Sequence, residues 1–538
     1  MHALRARLRP LSPLETAALL AMVVGSMAAI MFASHRAGHW WGDDWALYLR
    51  QAEGLLDGDP GAVIADNEFT VTNSLGPTFS PPLYPWGFPL LLVPFVAVIG
   101  TDIDRLAIVP VLCACCFACC WYALAKPRLG ALTAMVAMAA ITLSPLVLSW
   151  TELIQSELPF MAVTGVVLVA LDRAVAGGTL THPGAAWWPV ALLGVGAAAC
   201  FTVRREGLAM VAAIAAAQVA LLIATRHEAW WRGRTRRRLL AARLLLPHLV
   251  ALAVVMVLQA VLPSTLVPQY TGTSIANVWR FTDLHVDHLA EVVGLKRPWE
   301  DDPTVLGNAV LGWIAVGLFL LSAAVGVALG FARHRRRDLH LVVYAAAAMA
   351  IGGSFRSALN RYVCTVAPLL LLLAAVAVAT VVRTRRQGWI GAALATLALA
   401  GIVAGDIGNA KLQIDRASAF AAAGQTEWGP THPDAVAMFA AVIELSDDDD
   451  VIAAPKARAI TFETGRRAVQ VDDRRPIPTT VVPDLVVTEQ TSELARTLRR
   501  MPDQYALVWR NGRFSIFQPN SAASAATNGA GSSSTASP

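Results

Sequence analysis

Two adjacent carboxylates, Asp43 and Asp44, are the residues of this sequence best suited to acid–base chemistry. They lie in the stretch WWGDDWALYLRQAEGLLDG, shortly after a long apolar run that ends near Ala33. A carboxylate within hydrogen-bond reach of a hydroxyl can take its proton as a general base. Capping of the amphipathic helix that begins here is the structural alternative. One cap accounts for only one of the two side chains, so the pair is a candidate catalytic site.

A second set of charged residues lies at the ends of later apolar runs. Two are acidic, Glu152 and Glu157 in SWTELIQSELPF. The basic members, in FTVRREG and GGSFRSALNRYV, are Arg204, Arg205, Arg356 and Arg361. The guanidinium fork suits a phosphate, and contact with lipid headgroups is the alternative. With the carboxylates, these arginines fit group transfer from a lipid-linked phosphate: a carboxylate takes the acceptor proton and the arginines stabilise the departing phosphate.

The elements that must position these residues are membrane-spanning helices. The 538 residues are 56% hydrophobic and 15% charged, whereas soluble domains carry about 25% charged residues. A run of roughly 18 apolar residues is long enough to cross a bilayer. The predicted spans are 14–34, 104–124, 131–149, 157–173, 187–203, 207–225, 244–262, 306–330, 339–352, 362–382 and 389–405. We therefore predict a membrane all-α fold of about eleven transmembrane helices, with interfacial helices in the first outside loop.

The positions of the arginines favour eleven spans. With a cytoplasmic N-terminus, all strongly basic short loops lie inside, as the positive-inside rule requires. These loops are AKPRLG, LDRAVAGG, RHEAWWRGRTRRRLLAAR, FARHRRRD and RTRRQG. Counting the Pro- and Gly-interrupted run 81–100 as a full span would move three of the basic clusters outside, so we interpret it as an interfacial or partly inserted helix.

Residues 406–520 differ in composition from the span region 1–405 and predict a small extracytoplasmic α/β domain. VIAAP, PDLVVTE and YALVW are typical of short strands, and DAVAMFAAVIEL and SELARTLRRM of helices. The Asn-Gly of RNGRFSIF favours a hairpin with a type I′ turn. DDDD (447–450) lacks the Gly and Asn spacing of a calcium loop and predicts a solvated turn. The tail 521–538 is predicted to be disordered.

We predict no metal or other cofactor. CACCFACC (113–120) holds five of the seven cysteines, but it falls within a span, where Cys packs as a small hydrophobe. In WRFTDLHVDHLAEVVG the acidic and histidine side chains, Asp283, His285, Asp287 and His288, are spread around a helix. This spacing favours a surface helix, with His288 lining the site. The net charge of +5 does not indicate a nucleic-acid partner, because the arginines cluster in short loops.

Five motifs occur in order between about residues 45 and 370. They are DWALY (44–48), SPPLYPWGFPLLLVPFVAVIG (80–100), SELPF (156–160), RREG (204–207) and NRYVCTVAP (360–368). In order and approximate spacing they resemble the GT-C membrane glycosyltransferases. The similarity is greatest to the branch of protein O-mannosyltransferases and the lipid A aminoarabinose transferase. The soluble domain after the last span is also similar to that of the family.

The resemblance implies a site and an activity. Asp44 takes the place of the catalytic base; the following family Glu is replaced by Trp45, which leaves Asp43 as its candidate substitute. By the resemblance, Glu157 matches a second outside acidic position, Arg205 and Arg361 match basic positions that face the donor phosphate, and Tyr48 and Tyr84 belong to the matched motifs. Together with the other polar residues singled out above, the predicted substrate-binding residues are Tyr48, Tyr84, Glu152, Glu157, Arg204, Arg205, His288, Arg356 and Arg361. The expected reaction moves a sugar from a polyprenyl-phosphate donor in the inner (plasma) membrane to an extracytoplasmic hydroxyl of a glycan, lipid or protein. The resemblance also implies no metal requirement.

A transporter or flippase of a lipid-linked sugar is the main alternative. Transporters usually carry charged residues near the bilayer midplane and contain internal repeats. This sequence has almost no charge within its spans and no detectable repeat, which favours the transferase. A non-catalytic scaffold is a third interpretation, but it does not require the acidic pair and the outer arginines to converge. The sequence identifies neither the sugar nor the acceptor.

Overall fold

The computed structural model describes residues 12–520 except 75–79, 183, 226–233, 267–272, 298–299, 304–307, 333–337, 356–358, 384–387 and 473–480. The first helices are α1 (Pro13–Ser34), α2 (Asp44–Leu56), α3 (Pro60–Asn73), α4 (Gly87–Ile99), α5 (Ile103–Leu106), α6 (Ile108–Leu129), α7 (Ala131–Thr142), α8 (Pro145–Trp150), α9 (Glu157–Ala176), α10 (Trp188–Val203), α11 (Ala209–Thr225) and α12 (Arg234–Val261). They are followed by α13 (Ala276–Arg280), α14 (Thr282–Val292), α15 (Ala309–Phe331), α16 (Leu339–Gly353), α17 (Val366–Arg383), α18 (Gly388–Ala422) and α19 (Pro433–Leu445). The C-terminal elements are β1 (Val451–Ala454), α20 (Ala457–Thr464), β2 (Arg467–Gln470), β3 (Leu485–Glu489), α21 (Glu493–Arg499), β4 (Tyr505–Arg510) and β5 (Phe514–Pro519). Short 3₁₀ turns cover Arg205–Leu208 and Asn360–Val363.

Every predicted span coincides with a helix or with two consecutive helical segments. Within the described residues, seven helical stretches are long and apolar enough to cross a membrane, and five further apolar helices have 10–17 residues. The chain is therefore a multi-pass membrane protein, and eleven crossings remain a prediction. The last of these helices, α18, runs on to Ala422, past the predicted domain boundary at 405–406.

The described chain divides into two compact units. The helical unit comprises residues 1–35, 107–260 and 272–419, and the mixed unit comprises 36–106, 261–271 and 420–538. Residues 36–106 thus fall in the same unit as the C-terminal residues. The predicted division at 405–406 stays a prediction, and each unit is described by itself below.

In the helical unit, apolar helices pack in pairs, α9 on α6, α11 on α16 and α15 on α17. Arg128, at the end of α6, binds Asp172 of α9 at 2.6 Å and Asp338 before α16 at 2.9 Å. Three loops that the arginine pattern predicts to be inside therefore meet at one end of the unit, as alternation of the spans requires. The side of the membrane remains a prediction.

The mixed unit contains a five-stranded sheet in the order β2-β1-β3-β5-β4. The strands β2 and β3 are both parallel to β1, and β5 is antiparallel to β3 and β4. Alternate residues of the strands and one face of α21 bury an apolar core that includes Val469, Val486, Leu498 and Phe517. Because the β1–β2 connection is parallel, a crossover is needed, and α20 provides it. The fold of these residues is thus mixed α/β, as predicted.

Hydrogen bonds join the first loop to this sheet within the mixed unit. The Thr70 hydroxyl of α3 donates to the Ala468 carbonyl at 2.8 Å, and the Gln470 amide donates to Ser74 Oγ at 2.7 Å. Helix α3 therefore covers the edge strand β2, which otherwise exposes unpaired backbone groups. The pairing explains why residues far apart in sequence belong to one unit.

Two details of the C-terminal sequence differ from prediction. Helix α20 and strand β2 were not expected, because each is short, with eight and four residues. The predicted hairpin between β4 and β5 is present, but the prediction of a type I′ turn is wrong. The loop has three residues, 511–513, and Gly512 has no positive φ. The Asn511 side chain instead accepts the backbone N–H groups of Arg513 and Phe514 at 2.9 and 2.8 Å. The acidic run 447–450 forms the turn between α19 and β1, as predicted.

Candidate functional site

The acidic pair lies at the start of α2 in the mixed unit. Asp43 precedes the helix but makes no capping hydrogen bond to it. Its Oδ1 instead accepts the backbone N–H groups of Arg458 and Ala459, at 3.1 and 3.3 Å, in the first turn of α20. Asp43 therefore caps a helix more than 400 residues later in the chain, a role that a carboxylate fills well because free N–H groups and the positive end of the helix dipole meet there.

Arg458 connects Asp44 to the rest of the first loop. Its Nη1 donates to Asp44 Oδ1 at 3.4 Å, and its Nε donates to Asn67 Oδ1 at 3.0 Å. Its Nη2 donates to Ser80 Oγ, and the guanidinium lies 5.0 Å from the centre of the Tyr84 ring. The buried guanidinium thus fixes the position of Asp44 through three segments of the chain.

The two carboxylates differ in exposure and in electrostatics. The Asp44 side chain is 24% exposed, and that of Asp43 is 13% exposed. Burial raises the pKa of Asp43 to about 6, although the charges of Arg458 and Lys456 oppose this shift and Asp44 adds to it. Burial therefore disfavours the ionised form of Asp43, and Asp44 is the carboxylate that is more accessible to solvent or a ligand.

The two predicted tyrosines lie beside this cluster. The rings of Tyr48 and Tyr84 are 5.3 Å apart, and Tyr48 also meets Phe88 edge-on at 4.9 Å. On the same helix, Trp45 is fully buried against Phe462 of α20. The apolar face of α2 therefore packs on α4 and α20, and this packing holds the tyrosines near Asp44.

In the helical unit, Glu157 and Arg204 form a second charged cluster. Arg204 Nη1 donates to Glu157 Oε1 at 2.9 Å and to Ser156 Oγ at 3.1 Å. Its Nη2 donates to Glu206 Oε1 at 2.9 Å, and the guanidinium lies 5.8 Å from the Tyr362 ring. All three charged side chains are buried. The charges of Glu157 and Arg204 are thus explained by an internal ion pair, without a ligand.

Arg205 and Arg361 lie in the 3₁₀ turns at the ends of neighbouring spans. Arg205 Nη1 donates to the Phe201 carbonyl at 3.2 Å, and its guanidinium stacks 4.6 Å from the Phe201 ring. The Arg361 guanidinium lies 5.7 Å from the Tyr362 ring. Stacking on an aromatic ring leaves the edge donors of a guanidinium in position for further hydrogen bonds.

Two further predicted residues are Glu152 and Arg356. Glu152 lies, half-buried, in the turn that follows α8. Arg356 lies outside the described residues. The predicted roles of both therefore remain predictions.

His288 belongs to a polar group on α14, the helix expected from its spacing. Its Nδ1 lies 3.4 Å from Glu291 Oε2, which also accepts a hydrogen bond from Asn360 Nδ2 at 3.4 Å. Burial lowers the pKa of the neighbouring His285, and His288 adds to this effect. Among the described residues, three or more His, Cys, Asp or Glu side chains do not converge in a group that could hold a metal ion.

The sequence did not indicate Arg458, whose backbone N–H and guanidinium donate to Asp43 and Asp44, respectively. It lies in PKARAI, in the first turn of the short helix α20, which carries no sequence motif. Glu206 was also missed as a partner of Arg204, although RREG places it two residues away. Its spacing was the one available signal for that ion pair.

Neither a protein-family model nor a curated protein sequence matches this chain. Solved proteins with a similar structure include ArnT and an oligosaccharyltransferase. ArnT from Cupriavidus metallidurans, bound to undecaprenyl phosphate, superposes with a TM-score of 0.54 at 14% identity, over 94% of this chain and 99% of ArnT. The Archaeoglobus fulgidus oligosaccharyltransferase, in complex with Zn and sulfate, superposes with a TM-score of 0.51 at 13% identity, over 89% of this chain and 69% of that protein. At these identities the comparisons identify the fold alone.

Proposed function

We propose that this chain, whose fold is that of the GT-C membrane glycosyltransferases, transfers a sugar from a polyprenyl-phosphate donor to an acceptor hydroxyl. The reaction takes place on the extracytoplasmic face of the inner membrane, with the N-terminus cytoplasmic and the C-terminal residues outside. Asp44 is the general base. The sugar and the acceptor, a glycan, a lipid or a protein, are left open.

The observation that carries the proposal is that the two carboxylates differ in their hydrogen-bond partners and in their exposure. Asp43 is committed to the backbone of α20, whereas the more exposed Asp44 is held by the guanidinium of Arg458. A nearby positive charge favours the ionised form of a carboxylate, which is the form that a general base needs. Asp44 therefore combines charge, access and a fixed position, and Asp43 and Arg458 are the positioning residues.

The donor phosphate is assigned to Arg205 and Arg361. Arg204 is engaged by Glu157 and Glu206, so its fork is directed to protein carboxylates. The other two guanidiniums stack on aromatic rings at the ends of spans. As the sugar leaves, negative charge grows on the phosphate, and a guanidinium stabilises that charge more than it stabilises the ground state. Arg356 retains its predicted place in this group.

The similarity in fold to ArnT, a protein solved with undecaprenyl phosphate, supports a polyprenyl phosphate as the donor carrier. Tyr48 and Tyr84 would pack against the substrate next to Asp44, and Glu152 and His288 keep their predicted role in substrate binding. Glu157 is instead assigned to the ion pair with Arg204. The step needs no metal in this proposal: the acceptor oxygen attacks the anomeric carbon, its proton moves to Asp44, and the bond from the anomeric carbon to the phosphate oxygen breaks.

The test is transfer of radiolabelled sugar from a panel of polyprenyl-phosphate donors into acceptors present in membranes. The Asp44→Asn variant removes the base and should lower the rate by about 10²–10⁴-fold, the usual contribution of general base catalysis. Asp66→Asn is the matched control, because Asp66 is a partly exposed carboxylate in the same unit, paired with Arg50 at 2.8 Å. It should keep the wild-type rate.

Two outcomes would contradict the proposal. Equal rates in the wild type and Asp44→Asn would remove Asp44 as the base. Label that crosses sealed vesicles without entering any acceptor would instead favour a transporter of the lipid-linked sugar.

A further inference from the structure

A cavity in the mixed unit takes no part in the proposed transfer. Its volume is about 590 Å³, within the range of about 300–1,000 Å³ that is usual for small-molecule sites. All residues that line it belong to the segments 40–41 and 428–514. The cavity is therefore a feature of one compact unit.

The cavity lies at the carboxyl ends of the three parallel strands. Ala454 ends β1, Gln470 ends β2 and Glu489 ends β3, and all three residues line it. The chain passes from β1 to β2 on one side of β1 and then from β2 to β3 on the other side. Ligands of open α/β sheets bind at this kind of crevice, where the strand order changes direction.

Aromatic rings form one wall of the cavity. Trp428 and Phe514 are stacked at 5.5 Å, and Trp41 meets both edge-on at about 6 Å. Backbone hydrogen bonds fix the tryptophans: the Trp41 amide donates to the Trp428 carbonyl at 3.3 Å, and the Glu427 amide donates to the Ala37 carbonyl at 2.7 Å. Flat, rigid rings of this kind present a broad apolar face to a ligand.

This close approach depends on Gly38. Its φ of +93° is a conformation that other residues rarely adopt, and a Cβ atom there would lie 2.5 Å from Thr431 Oγ1. The glycine lets the segment with Trp40 and Trp41 lie directly against residues 427–431. The aromatic wall is therefore built by the fold of the loop.

The remaining walls are polar and carry both hydrogen-bond donors and acceptors. Lys456 contributes an ammonium group, and Asp472 and Glu489 contribute carboxylates. Two buried polar atoms of lining residues, the indole Nε1 of Trp41 and the Oε1 of Gln470, have no hydrogen-bond partner among the described residues. Buried polar groups normally have partners, so these two atoms point to a ligand with both donors and acceptors.

We propose that this cavity binds a saccharide. A sugar ring has an apolar C–H face for the aromatic wall, and each hydroxyl both donates and accepts hydrogen bonds. A phosphate or other anion would meet two carboxylates against one lysine. An acyl chain would leave the Trp41 N–H and the Gln470 carbonyl unpaired. The proposal concerns binding alone and does not depend on the glycosyl transfer.

The test is binding of methyl glycosides of mannose, glucose, galactose and arabinose to the full-length chain in lipid nanodiscs. Saturation-transfer NMR and intrinsic tryptophan fluorescence provide independent readouts. The wild type should bind at least one glycoside saturably. Trp40→Ala should weaken binding by about tenfold through loss of ring contact, and Gln470→Leu should weaken it by a similar factor through loss of a hydrogen-bond acceptor.

Matched controls separate this site from other parts of the protein. Trp40 is 58% exposed and Trp188 of α10 is 66% exposed, so Trp188→Ala removes an equally exposed ring outside the cavity and should bind like the wild type. Trp40→Ala and Gln470→Leu should keep the wild-type rate of sugar transfer, which keeps a failure of this proposal distinct from a failure of the transfer.

Several results would overturn the proposal. One is that the wild type binds none of the glycosides saturably. Another is that Trp40→Ala and Gln470→Leu both bind a glycoside with the affinity of the wild type. A third result is that no glycoside binds while a brominated phosphatidylcholine quenches the fluorescence of the cavity tryptophans. If this quenching is equal in the wild type and Gln470→Leu, the cavity is a lipid site.

Discussion

The Arg204 cluster and the Arg458 cluster contain the same chemical groups, one guanidinium and two carboxylates, in different surroundings. In the helical unit, Arg204 is enclosed with Glu157 and Glu206, and the Glu157 side chain is 1% exposed. In the mixed unit, Arg458 lies with Asp43 and Asp44, and Asp44 keeps about a quarter of its side-chain surface. The first cluster is an internal ion pair, and the second has an open side.

The same set of groups can serve structure or chemistry, depending on its surroundings. Charges taken out of water need close partners, because desolvation opposes the attraction between them. The Arg204 cluster meets that requirement with distances of 2.9 Å to both carboxylates. The Arg458 cluster uses backbone N–H groups, Asn67 and Ser80 to hold its members, so Asp44 is fixed without being enclosed. A fixed and accessible carboxylate is what proton transfer requires.

The largest expected effect tests the structural side of this comparison. Arg204→Met removes the shared guanidinium and leaves two buried carboxylates without their counter-charge. We expect a loss of about 3–5 kcal/mol in the free energy of unfolding, as found when one partner of a buried pair is removed. Unfolding of the purified protein in detergent, followed by tryptophan fluorescence, measures it.

A rescue variant controls for the change of shape at Arg204. Combining Arg204→Met with Glu157→Gln and Glu206→Gln removes all three charges, and the loss of stability should be largely recovered. An Arg204→Met protein as stable as the wild type would show that the cluster does not hold the fold. It would also reopen the assignment of Arg204 to the donor phosphate.

The next effect tests the chemical side. Arg458→Lys keeps the positive charge near Asp44 but loses the planar fork that binds Asn67 and Ser80 as well. We expect kcat of the sugar transfer to fall by about 10–100-fold, since a small misplacement of a catalytic group has effects of this size. The KM for the lipid donor should change little, because Arg458 is a positioning residue.

Arg466→Lys is the matched control for Arg458→Lys. Arg466 also makes several side-chain bonds in the same unit, to Ser446 and Asp448, but it does not contact the acidic pair. Its kcat should equal that of the wild type. If both variants lose activity equally, the effect reflects general loosening of the C-terminal residues and not the position of Asp44.

The two clusters also differ in how far the sequence could predict them. The spans and their order follow from long apolar runs and basic loops, because burial in lipid acts on whole segments. Glu157, Arg204 and Glu206 lie at span ends, where charge stands out against apolar sequence. The Arg204–Glu206 pair is within two residues and could have been read from spacing, as could the cap of α1 by Ser12 and Glu15.

The Arg458 cluster could not be predicted in the same way. Asp44 and Arg458 are 414 positions apart, and the contact depends on α3 pairing with the edge strand β2. Both β2 and α20 are short, so local pattern gives little signal for them. The prediction of a type I′ turn was wrong for a related reason. The Asn511 side chain satisfies two backbone donors in a longer loop, and the Asn-Gly dipeptide alone does not reveal this conformation.

The smallest expected effect concerns the two carboxylates of the Arg458 cluster and depends on pH. Burial raises the pKa of Asp43 from 3.8 to about 6, so the folded protein retains a proton that the unfolded chain releases near pH 4. The protonated side chain makes its full contribution to the free energy of unfolding below about pH 4, and this contribution is lost as pH rises through 6. Between pH 5 and 7.5 the loss is on the order of 1 kcal/mol for this group.

Asp43→Asn should remove this part of the pH dependence, because an amide does not titrate while its oxygen can still accept the N–H groups of Arg458 and Ala459. Glu463 of α20 is the control: burial, with a further contribution from Glu53, raises its pKa to about 7, so Glu463→Gln should flatten the curve at higher pH. Unfolding free energies measured from pH 5 to 8 separate the two windows. A slope around pH 6 that is the same in Asp43→Asn and the wild type would mean that Asp43 is ionised throughout, and the separation of a capping Asp43 from a catalytic Asp44 would then lose its electrostatic basis.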